Sequence, residues 1–354
     1  MSAWINRIAT ATPPHDIHAA FLAFASAGLP AGKSRAVFDR MAERAGIAHR
    51  FSHFRPGDLA AGEIDAEGFY RHGAFPGTGA RMARYERLAI ELAAEAVARL
   101  APEGITHLIV ASCTGFSAPG LDLELVVRLG LRPDVARTLI GFMGCSAAVP
   151  ALRAADHVVR ADPEARVLVI NLELCSLHLQ ETTDVESALA LMLFGDGCSA
   201  ALVSADPHGI ALGDFRALIL PDSAGLITWS IGDQGFLMHL SGQVPGRIAT
   251  ALREDAALGD PTGLLRGMKA RDFQLWAVHG GGRTVLDAVE IGLDLPPEAL
   301  RFSRAVLRDF GNMSSCTIMF VLARMLAEGS VGPGLAMAFG PGMVAETFRF
   351  HLAS

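Results

Sequence analysis

The chain carries short continuous apolar runs separated by stretches of helical periodicity. His107–Ser112 (HLIVAS), Arg166–Leu174 (RVLVINLEL), Ser199–Ala205 (SAALVSA), Leu275–Gly280 (LWAVHG) and Gly334–Pro341 (GLAMAFGP) have strand length and little alternation. Strands apolar on both faces belong to sheets covered on both sides. Between them, Arg84–Leu100 is rich in Ala, Leu and Glu and stops before Pro102 and Gly104, as helix formers and breakers dictate. Lys33–Arg50 is amphipathic, with Val37, Met41 and Ala45 predicted on one face and Arg40 and Arg44 on another. Strands alternating with helices predict an α/β chain.

A weak internal echo divides the chain. His107–Cys145 and Leu275–Glu290 each join a buried strand to a small-residue loop bearing a reactive side chain. The predicted seam lies around Pro207–Asp222, giving an N-terminal half over 1–212 and a C-terminal half over 213–354. No charge block, low-complexity tract or flexible linker separates them, so the halves should be tightly fused.

Composition narrows the class. The 354 residues are 51% hydrophobic and 19% charged, too apolar for disorder and enough for a large core. Acidic residues outnumber basic ones 37 to 30, and Lys33 and Lys269 are the only lysines, which argues against a nucleic-acid partner. The exception is Lys33–Arg50, with five basic residues against two acidic ones. It is either a solvated face or an anion-binding edge. No apolar run reaches the roughly 18–20 residues that span a bilayer, and the N-terminus has no leader pattern. A soluble cytoplasmic protein is the expectation, without integral membrane association.

Five cysteines (Cys113, Cys145, Cys175, Cys198 and Cys316) include no C-x-x-C pair, so no metal site is expected. Three loops carry candidate chemistry. In Gly141-Phe-Met-Gly-Cys145-Ser-Ala-Ala, a cysteine precedes a helix predicted over Val149–Arg160. The helix dipole there favours thiolate, and Pro150 fits if it lies in the first turn. In Trp276-Ala-Val-His279-Gly-Gly-Gly, a histidine ends a strand with nothing bulky after it. In Phe310-Gly-Asn312-Met-Ser-Ser, an asparagine sits among small residues. Singly these are a small buried hydrophobe, a structural histidine and a turn. Together they supply a nucleophile, a base or ion-pair partner, and an amide donor. The order Cys…His…Asn also occurs in papain-like proteases, but their local cysteine signature is absent. An esterase lacks support because no G-x-S-x-G elbow exists.

In order along the chain stand APG (Ala118–Gly120), GC at Cys145, FGDG (Phe194–Gly197), LPDSAG (Leu220–Gly225), WAVHGGG at His279, GNMSS (Gly311–Ser315) and FGPG (Phe339–Gly342). With this set the chain resembles the type III polyketide synthases, the chalcone synthase-like branch of the thiolase superfamily, from about Lys33 to Phe350. The resemblance implies a homodimer of duplicated αβαβα five-layer fold with an internal cavity and no cofactor beyond its acyl-CoA and malonyl-CoA substrates. It implies that Cys145 takes the starter as a thioester. His279 partners the thiolate, and Asn312 with His279 polarises malonyl-CoA for decarboxylation. Phe194 matches the gatekeeper between tunnel and cavity. Arg40 and Arg44 match positions that bind CoA phosphates, while the third basic position is Val37 here, so the grip is either weaker or supplemented by Lys33.

Departures from the plant pattern bear on product. Trp229 stands where chalcone synthase has a cavity glycine, Met238 replaces a phenylalanine beside the gate, and His178 replaces a threonine. Ser314 is retained. Ala118 replaces a methionine that reaches into the partner subunit's cavity, and HGGG replaces HPGG. Cys113 lies where some bacterial relatives carry cysteine, and Glu173–Gln180 (ELCSLHLQ) looks like the bacterial branch. An indole in the cavity disfavours a bulky phenylpropanoid tetraketide. The expected products are alkylpyrones or alkylresorcinols from fatty acyl starters. The alternatives are a malonyl-only small phenol such as phloroglucinol or tetrahydroxynaphthalene, a ketoacyl synthase of fatty-acid initiation, and a non-catalytic acyl-CoA-binding member.

Overall fold

The structure, a computed structural model, describes residues 2–58 and 63–353. Nine strands form one sheet in the order Leu275–Val278, Gly332–Gly340, Val344–Leu352, Ile210–Ile219, Trp4–Ala11, Asp196–Ser204, Val167–Leu174, His107–Ser112 and Ala136–Gly141. Two blocks meet at a narrow junction. Trp4–Ala11 pairs with Asp196–Ser204 along most of its length, but with Ile210–Ile219 only at Trp4–Ala211 and Ile5–Ile210.

Side chains alternate across a strand with a period of two. Ile109, Val167 and Ala201 therefore face one way and Leu108, Leu168 and Leu202 the other. The inner faces of both blocks pack on the helices Ala148–Ala161 and Cys316–Ala327. The outer faces are covered by Thr78–Leu100 and Leu121–Arg128 on one block, and by Val244–Leu258 and Arg283–Leu293 on the other. Helix, sheet, helix, sheet and helix make the thiolase-like five-layer arrangement. Among the described residues no helix is long and apolar enough to cross a membrane.

Two expectations are corrected. The basic helix runs only over Lys33–Arg44 and ends before Gly46, whose φ of +71° breaks helical geometry. Its buried side chain is Phe38, at 1% exposure, while Met41 faces outward at 38%. Of the predicted face only Ala45 is buried, and the larger ring of Phe38 takes the core position expected of Met41. The predicted seam at Pro207–Asp222 includes the strand Ile210–Ile219, which joins the two blocks of the sheet.

Candidate active site

Cys145 sits in a single 3-10 turn, Gly144–Ser146, between the strand Ala136–Gly141 and the helix Ala148–Ala161. Pro150 lies in that helix's first turn, where its missing N–H is harmless. Gly144 has φ +59°, and a Cβ there would lie 2.3 Å from Pro341. The FGPG loop thus packs directly on the nucleophile turn, which explains why both stretches are built from small residues. Cys145 is half-buried. Burial pushes its thiol up to about 11, opposed by hydrogen bonds from the Ser314 and Asn312 side chains. The helix terminus alone therefore does not secure the thiolate that the sequence suggested.

His279 follows the strand Leu275–Val278, and its backbone N–H donates to Met337 O at 2.8 Å. The imidazole is buried, and neither ring nitrogen has a protein partner. Burial pushes it down to about 4, so it is neutral at rest. A buried polar group without partners is costly, and this one faces the same cavity as Cys145. A neutral thiol beside a neutral imidazole holds as many protons as a thiolate beside an imidazolium. The pair can therefore ionise by moving one proton from sulfur to nitrogen.

Asn312 leaves the helix Arg301–Phe310 through Gly311, whose φ of +69° keeps the chain clear of Arg50 and Leu193. Its backbone N–H donates to Leu193 O at 2.8 Å, and its carbonyl accepts from Gly195 N–H at 3.0 Å. The FGDG and GNMSS loops are thereby locked together. The side-chain amide donates to Gly281 O at 3.1 Å, and its oxygen accepts from Ser314 N–H at 2.8 Å. The other amide N–H serves the Cys145 sulfur, where a substrate oxygen can compete for it.

Three spaces meet at these residues. An inner cavity of about 30 Å³ is lined by Cys145, His279, Asn312 and Phe194. A second, of about 40 Å³, extends past Cys145 towards Cys113, His178, Trp229 and Ser314. Cys145, Phe194, Ile227 and Met238 line both, so the two cavities adjoin at these side chains. A surface groove of about 610 Å³ borders the inner cavity, sharing Leu240, Val244, Gly281 and Val285 with it.

The model of the N-terminal domain of chalcone and stilbene synthases matches residues 31–207, and that of their C-terminal domain matches 215–353. The chain belongs to the chalcone and stilbene synthase family. It is 33% identical over 280 residues to the alpha-pyrone synthesis polyketide synthase-like Pks18 of Mycobacterium tuberculosis, covering 75% of this chain and 70% of that protein. It matches PKS-I from the brown alga Ectocarpus siliculosus with TM-score 0.86 and 31% identity, over 99% of this chain and 98% of that one. It matches 1,3,6,8-tetrahydroxynaphthalene synthase from Streptomyces coelicolor A3(2) with TM-score 0.85 and 29% identity, over 99% of each. The protein is a type III polyketide synthase, an acyltransferase that forms carbon–carbon bonds.

In this synthase the hairpin Ile227–Leu240 walls the larger side of the cavity. Trp229 donates its indole N–H to Cys113 O at 2.8 Å. His178 donates from Nε2 to Thr114 O at 2.7 Å and accepts Phe236 N–H on Nδ1 at 3.0 Å. Burial pushes this imidazole down to about 3, which keeps it neutral and fixes that tautomer. Its ring stacks on Phe236 at 4.2 Å and meets Trp229 edge-on at 5.4 Å. The Cys113 sulfur accepts Gly144 N–H at 3.0 Å, and burial holds its thiol well above the ordinary value. Cys113 thus positions the nucleophile turn as a protonated thiol. Ala118 lies exposed on the surface, away from these cavities.

Two site residues escaped the sequence reading. Glu173, fully buried, accepts from Cys113 N–H and Thr114 Oγ1, both at 3.0 Å, and from Ser315 Oγ at 2.6 Å. It ties the Cys113 loop to the GNMSS loop, and burial pushes its carboxyl up to about 7. Arg283 joins Arg44 on the groove wall and donates to Arg44 O at 3.2 Å. Lys33 and Arg40 are exposed on the helix Lys33–Arg44 and lie outside that wall. Among the described residues no group of three or more His, Cys, Asp or Glu could hold a metal ion.

Proposed function

We propose that the synthase loads an aliphatic acyl-CoA on Cys145, extends it with malonyl-CoA and closes the chain to an alkylpyrone or alkylresorcinol. The thiol proton passes to His279 as sulfur attacks the thioester, and CoA leaves as the thiol. Malonyl-CoA then loses CO₂, and the enolate oxygen accepts hydrogen bonds from the Asn312 amide and the ring N–H of neutral His279. The enolate carbon attacks the Cys145 thioester, forming the carbon–carbon bond and releasing the sulfur for the next round. Water is excluded because the bond forms in enclosed space. CoA phosphates are held by Arg44 and Arg283, with Lys33 and Arg40 along the same helix. The exposed edge strand Ala136–Gly141, flanked by Phe116 and Met143 at 40% and 38% exposure, is the surface through which a second copy would pair.

The observation that carries the choice of starter is the filling of the cavity by Trp229 and His178, backed by Phe236, which removes the width an aromatic tetraketide needs and leaves a slender chain. The same small cavity also suits a product made from malonyl units alone. Mass spectrometry of products from malonyl-CoA, offered with short, medium and long acyl-CoAs, separates the two. Acyl-bearing pyrones or resorcinols support the proposal, and a single product independent of the added starter refutes it.

A further inference from the structure

Beyond the reaction cavity lies another space that the chemistry above does not use. It measures about 140 Å³, more than the 40 Å³ beside the nucleophile. The two share the walls Phe21, Leu179 and Leu191, so they are neighbours across those three side chains. The far space is bounded by the helices His18–Gly28 and Val185–Leu191, through Phe24, Ala25 and Ala188, and its outer end by His72 and Glu181.

Arg50 also lines it, although the side chain is 0% exposed. Its stem lies along Gly195 and Gly311, which leaves the guanidinium as the part that faces the cavity. Nε donates to His18 Nδ1 at 2.9 Å, and Nη1 to Phe194 O at 2.9 Å and Leu191 O at 3.3 Å. Nη2 is buried with no protein partner. The nearby carboxylates are committed elsewhere. Asp196 accepts from Ser176 N–H and Oγ at 2.7 and 2.6 Å, and Asp16 from His49 Nδ1 and the His18 and Arg50 backbone. A buried cation with a free donor, in a chamber walled by apolar side chains of the two helices and by His72 and the polar stretch 180–183, is complementary to an oxygen at the end of a hydrocarbon chain.

We propose that this chamber receives the far end of the starter held on Cys145, and that Arg50 Nη2 reads a terminal oxygen there, so that the preferred starter is an ω-oxygenated acyl-CoA of medium length. This inference rests on the acyl-starter reading of the proposed function. The chain passes from the sulfur between Phe21, Leu179 and Leu191. The hydrocarbon part meets apolar walls, and the terminal oxygen satisfies a donor that a plain alkyl end leaves unpaired.

The test is competition between plain and ω-hydroxylated acyl-CoAs of equal length, about six to twelve carbons, with malonyl-CoA and the full chain. Products are read by mass spectrometry as the ratio of oxygenated to plain starter incorporated. At one chain length the oxygenated starter should win by about tenfold, as a charge-assisted hydrogen bond in a sheltered site implies. Ala188→Leu, and independently Ala25→Leu from the opposite helix, should bring that ratio to about one by filling the chamber, in variants that retain a cooperative melt. Acyl starters used without regard to the terminal oxygen, or a preference that persists in a folded variant, overturns this inference and leaves the proposed function standing. Use of malonyl-CoA alone, with no added starter incorporated, rejects both.

Discussion

Trp229 and Cys113 are joined by a 2.8 Å hydrogen bond from the indole N–H to a main-chain carbonyl, so the residue that narrows the cavity also anchors the hairpin to the loop beneath the nucleophile. Replacement should separate these roles. Trp229→Phe keeps most of the ring volume and loses only the hydrogen bond, so product length should hold while stability falls by about 1 kcal/mol. Trp229→Gly opens the cavity, and longer intermediates or bulkier starters should follow. Denaturant melts and product mass spectra report both. A Gly variant less stable by roughly 3–5 kcal/mol, with unchanged products, would make Trp229 a packing residue only.

The reactivity of Cys145 should depend on His279. Burial pushes the thiol up and the imidazole down, so each opposes its own charge, and the thiolate forms only where its proton can pass to the ring. Thiolate reactivity rises with pH. Removing the acceptor leaves only the Ser314 and Asn312 side chains to oppose burial, and His279→Ala should move the midpoint of iodoacetamide inactivation to higher pH by at least about one unit, equivalent to ~1.4 kcal/mol. A midpoint that does not move would mean that the ring plays no part in activating the sulfur.

Arg44 and Arg283 should act together on the nucleotide end of CoA thioesters. Arg283 is about half exposed, so its share is discounted for solvent screening. Arg44→Ala with Arg283→Ala should raise KM for malonyl-CoA by roughly 5–30-fold, about 1–2 kcal/mol. The ratio of that KM to the KM for a malonyl thioester lacking the nucleotide should rise with it. Equal effects on both substrates would place the arginines outside phosphate recognition.

Legibility followed burial. Val167–Leu174 is buried on both faces at every residue, and such a strand appears in sequence as an unbroken apolar run. Ala136–Gly141 (ARTLIG) lies at the sheet edge with most residues exposed, and nothing in its composition announces it. Cys145, His279 and Asn312 were readable because each reactive side chain stands among glycines and small residues, a pattern that close packing of loops demands. Gly144 against Pro341 is the physical form of that pattern. Glu173 was hidden because its partners, Cys113, Thr114 and Ser315, lie 60, 59 and 142 positions away. Arg50 looked like the end of a basic helix, until the turn at Gly46 carried it inward. Arg283 stood unnoticed beside the glycines of HGGG, since only the fold brings it to Arg44.

The central claim is that Cys145 carries the growing acyl chain. Incubation with a medium-chain acyl-CoA, followed by proteolysis and peptide mass spectrometry, locates the thioester directly. The account predicts one acyl group on the peptide containing Cys145, discharged when malonyl-CoA is added, and neither adduct nor extended product in Cys145→Ala. An adduct on another cysteine, or extension of the starter by Cys145→Ala at near the unmodified rate, would contradict it.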